Sequence, residues 1–157
     1  MGYAGLGAKA GVLAGLIYGV INGIVTYITL LSMKELIISV ISANLPPNVP
    51  ISAEYIYQLT LTTAPITAAI ISLILGTIIG AVYGWIYDRI PGKKPITKGL
   101  VTGIALWFIS MLLSLPNIGY GLYYVFNKVI RELLMALIYG ALLGIFFNRF
   151  HSKRFRE

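Results

Sequence analysis

Long apolar runs, broken by glycine more often than by charge, recur four times along the chain, at approximately 10–33, 63–87, 98–115 and 132–148. A hydrocarbon core about 30 Å thick needs roughly 20 helical residues to cross it, and each run approaches or exceeds that length. Four transmembrane helices are therefore expected. The first run is too long for a signal-peptide core and lacks a basic leader and a small-residue cleavage site, so it reads as a retained span. Residues 36–43 are also apolar, and a straight helix over 10–43 would be about 50 Å long. That segment must either protrude or bend near Lys34. Residues 48–58 read as an outer loop with a short interfacial helix, and 117–127 carry aromatics suited to headgroup depth.

Composition agrees with this pattern. Of 157 residues, 58% are hydrophobic and 11% charged, against about 25% charged in an average soluble domain. A soluble globular domain, a disordered chain and an ordinary nucleic-acid binder are excluded on that ground. The distribution of charge sets the expected orientation. Lys9, Arg89, Lys93, Lys94, Lys98, Arg149, Lys153, Arg154 and Arg156 stand at one set of span ends with Asp88 and Glu157, and hold the whole net charge of +7. Lys34, Lys128 and Arg131 balance Glu35, Glu54 and Glu132 at the other. Basic loops stay on the cytoplasmic side during insertion, which places both termini and the 88–97 loop there. The same cations could also hold anionic lipid headgroups.

Candidate chemistry is sparse. There is no cysteine and one histidine, His151, in a basic tail. Thiolate metal sites, disulfides and haem held by two histidines of this chain are thereby excluded. The carboxylates Glu35, Glu54, Asp88, Glu132 and Glu157 are scattered, with no pair three or four apart. No metal and no cofactor is expected. Gly5 to Ala10 mimics a dinucleotide fingerprint without a preceding strand, and Gly92-Lys93-Lys94 lacks the remainder of a phosphate loop. Leu6 breaks the myristoylation pattern after Met1-Gly2.

Glycines recur at intervals of four: Gly11, Gly15 and Gly19 in the first span, Gly76, Gly80 and Gly84 in the second, Gly99 and Gly103 in the third, Gly140 and Gly144 in the fourth. Residues four apart share a helix face, and a face without side chains lets two backbones approach closely, which matters in lipid. Most lie in the inner halves of the spans, predicting helices pinched at that end. An internal repeat also emerges. Residues 80–89 align with 140–149 at an offset of 60, and the first and third spans align more weakly at an offset of 88, through Gly11/Gly99 and Gly15/Gly103.

The expected fold is thus an all-α integral membrane protein, a four-transmembrane-helix bundle of two tandem, parallel-repeat hairpins. These are 8–90, with an outer loop at 44–60, and 97–150, followed by a basic tail at 149–157. The expected role is non-catalytic: an assembly or accessory subunit of a membrane complex, or a homo-oligomer packed through its glycine stripes. Its expected partners are the bilayer and other membrane subunits or itself, without nucleic acid. The alternative is a small-solute or ion transporter or channel, with a path between protomers lined by Asn22, Thr26, Thr29, Ser72 and Thr77. A lipid-active enzyme would have to draw on Asp88, Glu132 or Glu35. Asp88, Arg89, Lys93, Lys94, Asn148 and Arg149 are candidates for contact with a lipid headgroup or partner.

Overall fold

The computed structural model describes residues 2–46, 50–114 and 122–154, and these are all-helical, without strands. The elements are α1 (Tyr3–Ser32), α2 (Lys34–Asn44), α3 (Ala53–Trp85), a 3-10 turn (Tyr87–Arg89), α4 (Pro95–Ser114) and α5 (Leu122–Arg154). Among the described residues, α1, α3, α4 and α5 are long and apolar enough to cross a membrane. Their many isoleucines, valines and threonines favour strands in water. In hydrocarbon every backbone N–H and C=O must find a partner within the chain, and a helix supplies those partners locally. The hydroxyls follow the same logic. Thr60, Thr62 and Thr63 donate to the carbonyls of Ile56, Gln58 and Leu59 one turn earlier, at 2.8–3.0 Å.

Helix ends differ from the apolar boundaries. α1 begins at Tyr3 and α3 at Ala53, because nothing breaks the helix where hydrophobicity falls. The Ser52 hydroxyl accepts the Tyr55 N–H at 3.2 Å and caps α3, so residues expected in the 44–60 loop are already helical from 53. The basic tail is helical to Arg154. The break between α1 and α2 falls beside Lys34, at Met33, whose φ of −111° and ψ of 18° leave the helical range. The aromatic stretch expected at 117–127 lies largely outside the described residues, as do 47–49 and 155–157.

The chain forms two compact units. One comprises residues 1–18 and 73–157, with a core of Leu6, Ala10, Ala14, Tyr83, Ile90, Tyr139, Leu143 and Phe147. Small residues on α1 admit the large rings of α3 and α5. The other unit, Gly19–Ser72, holds the rest of α1, α2 and the first part of α3. There Tyr57 is buried and donates its hydroxyl to the Leu30 carbonyl at 3.2 Å. An exposed ion pair, Lys34 to Glu54 at 3.0 Å, joins the starts of α2 and α3.

Candidate functional site

The glycines of the first unit meet one another. A Cβ on Gly80 would lie 2.6 Å from the Gly11 Cα, and one on Gly76 would lie 2.7 Å from the Gly15 Cα. Gly84 approaches Tyr3 and Gly7 in the same way, with 3.0 Å to the Gly7 Cα. On the other helix pair, a Cβ on Gly99 would reach the Gly144 Cα at 3.0 Å, and one on Gly140 the Gly103 Cα at 3.2 Å. The glycine faces of α1 and α3, and of α4 and α5, are thus apposed backbone to backbone. In the second unit, Gly19 stands against Ala69, with 2.8 Å to its carbonyl oxygen. The stripes of the first unit thus cover each other within one chain.

The contacts also fix a register. Gly7 meets Gly80 and Gly84 as Gly99 meets Gly140 and Gly144, and Gly11 meets Gly76 and Gly80 as Gly103 meets Ala136 and Gly140. Corresponding positions differ by 92 in the first helix of each pair and by 60 in the second. The offset of 88 read from the sequence is one helical turn away. A stripe repeating every four residues matches itself equally well after a shift of four, so the glycine pattern could not choose between them.

The polar residues expected along a path are placed differently. The Asn22 amide donates to the Ser72 hydroxyl at 3.3 Å, linking α1 and α3 in the second unit. Thr29 turns its hydroxyl onto the Val25 carbonyl at 2.7 Å, and Thr77, in the first unit, turns its own onto Leu73 at 2.8 Å. Thr26 is half-buried in the second unit. Four of these five residues therefore pair with each other or with their own helix, with Asn22 and Ser72 brought together.

Sequence reasoning missed the densest cluster, at the basic end of the first unit. Tyr87 stacks on Phe147 with ring centroids 4.5 Å apart, Tyr83 meets Phe147 edge-on at 5.2 Å, and Tyr3 lies 5.5 Å from the His151 ring. Lys98, only 8% exposed, donates to the Tyr87 carbonyl at 2.7 Å and sits 4.0 Å above the Tyr87 ring. The pairing suits an ammonium at the carbonyl end of a helix, where backbone acceptors are unpaired and ring faces are negative. Burial, the Asp88 carboxylate and Tyr3 push the Tyr87 hydroxyl above the usual tyrosine range, so it stays a neutral phenol at physiological pH. Deeper in, Tyr139 donates to the Gly76 carbonyl at 2.9 Å, joining α5 to α3. The available signal was aromatic spacing: Tyr83/Tyr87 and Phe147/His151 are each one turn apart.

Asp88, Arg89, Lys93, Lys94, Asn148 and Arg149 are all exposed around this cluster. Among the described residues, no three of His, Asp and Glu come together as a metal site would need. A model of the family of unknown function DUF6789 matches residues 7–157. The chain belongs to that family. No curated protein and no solved structure matches it. Within this DUF6789 member, the matched stretch takes in α1 from Gly7 onward and all of α3, α4 and α5.

Proposed function

We propose that this DUF6789 protein is a non-catalytic, multi-pass membrane protein that serves as an assembly or accessory subunit of a membrane complex or as a homo-oligomer. Both termini would lie on the cytoplasmic side. The observation that carries the reading is the use made of intramembrane groups. The glycines bring backbones together, and Asn22, Ser72 and Tyr139 bond across helices. These groups hold helices in place, as a scaffold requires. Any contact with another subunit then falls to the isoleucine and leucine faces that remain exposed, such as Ile66, Ile70, Ile74 and Ile78 of α3.

The matched glycine registers favour an origin by duplication, with two parallel hairpins related by a pseudo-twofold axis along the membrane normal. Tyr87 and Phe147 differ by 60, the offset of the second helices, and stack on each other. Equivalent residues meet face to face only near such an axis.

Native mass spectrometry after gentle extraction from the source membrane tests the functional reading. Stoichiometric recovery with other subunits, or as a defined homo-oligomer, is expected. Recovery as a partner-free monomer would overturn it and turn attention to solute flux, where Asn22→Ala should then change transport without changing assembly.

A further inference from the structure

The connection between α3 and α4 is short, basic and fixed at several points. Its N-terminal side is held by Lys98 on the Tyr87 carbonyl, and its C-terminal side by the Tyr83 hydroxyl on the Pro95 carbonyl at 2.9 Å. Between them Ile90 is buried in the core of the first unit. The turn is closed by the Arg89 N–H on the Ile86 carbonyl at 2.8 Å, and Gly92 supplies the positive φ of 130° that reverses the chain. What remains outside is Asp88 with three cations, Arg89, Lys93 and Lys94, all exposed. None of the three has an ion-pair partner among the described residues.

Retention of a basic loop during membrane insertion requires positive charge but no particular loop geometry. This loop has both. Its depth is also set, because α3 ends on Trp85, 75% exposed, a residue type that seats at the membrane–water interface. α4 begins again at Pro95, so the loop is too short to leave the headgroup layer. Arg149 is also exposed, two residues beyond the Phe147 ring that stacks on Tyr87.

We propose that the 88–94 loop is a preformed docking surface for the headgroups of anionic phospholipids, with Arg89, Lys93 and Lys94 as the contacting cations. Lys98 and Tyr83 are positioning residues that hold the loop in shape. A rigid loop orders fewer side-chain and backbone torsions on binding than a mobile one with the same charge. The inference does not depend on the accessory-subunit reading, since a transporter could carry the same surface.

The test uses the full chain in neutral detergent, titrated with phosphatidylglycerol or phosphatidylcholine and followed by native mass spectrometry. Phosphatidylglycerol should be retained preferentially. Combined R89Q, K93Q and K94Q should weaken it by roughly tenfold to a hundredfold, from the free energy expected per basic residue at a membrane surface. R131Q, an exposed cation outside the loop, should leave it unchanged. Tyr83→Phe changes no charge and should weaken retention severalfold, the outcome that separates a shaped loop from a charged one. Equal retention of both lipids, wild-type affinity in the triple variant, or an equal loss with R131Q would overturn the proposal. So would tighter binding of a poly-glutamate peptide than of phosphatidylglycerol, which would point to a protein partner.

Discussion

A single methyl group tests the glycine contacts most directly. In an isolated helix, glycine to alanine stabilises by about 0.5–1 kcal/mol, because alanine has less backbone freedom to lose. At Gly80 the added Cβ would meet the Gly7 carbonyl and Gly11 backbone atoms, none of which can rotate away. Overpacking of this kind costs about 1–3 kcal/mol and should outweigh the helix gain. Gly80→Ala is therefore expected to lower the thermal midpoint in detergent. Gly2→Ala, with nothing within 4 Å of its Cβ, should leave the midpoint unchanged or raise it slightly. Asn22 and Ser72 form a smaller test. Membrane hydrogen bonds between helices average about 0.6 kcal/mol, so either alanine variant should cost about that much, and the double variant little more. A double-mutant cycle of unfolding would read the coupling, and additive losses would show that the 3.3 Å contact contributes nothing.

At the scale of elements, stability is expected to concentrate where helix ends are pinned. Replacing Lys98 by Met removes the charge-assisted bond and leaves the Tyr87 carbonyl with only the long 3.4 Å contact from the Ile90 N–H, at a cost of about 1–3 kcal/mol. Hydrogen exchange over residues 86–97 should rise sharply in that variant and only modestly in Tyr83→Phe. The ion pair between α2 and α3 is a contrasting case. Lys34 and Glu54 both face solvent, where screening and side-chain entropy leave such pairs contributing little to stability. Glu54→Gln is expected to shift the midpoint by less than any of the glycine substitutions. The helices themselves were readable from hydropathy, since length and apolarity alone fix what can cross a bilayer. Their ends were less so. Ser52 caps α3 well before its apolar stretch begins, and hydropathy carries no signal for a cap.

For the molecule as a whole, orientation is the first quantity to measure. The chain has no cysteine, so single cysteines report without background. Lys93→Cys and Ser152→Cys should react with a membrane-impermeant maleimide from the same side of a sealed vesicle, and Ser52→Cys from the opposite side. Reaction of positions 93 and 152 from different sides would contradict an even number of spans with the basic ends together. The same set, combined with gentle extraction, would show whether partner binding shields one end.

The amino-acid sequence alone establishes four helices long and apolar enough to cross a membrane, where the charge lies and which helix faces are smooth. Those properties follow from composition, run length and spacing, each local along the chain. Only tertiary structure decided which glycine meets which, because a stripe of period four is indifferent to a one-turn shift until two backbones are set side by side. It alone paired Asn22 with Ser72 and brought Tyr3, Tyr83, Tyr87, Lys98, Phe147 and His151 to one end. Those residues come from four separate stretches of chain, and contacts between distant segments leave little trace in a single sequence.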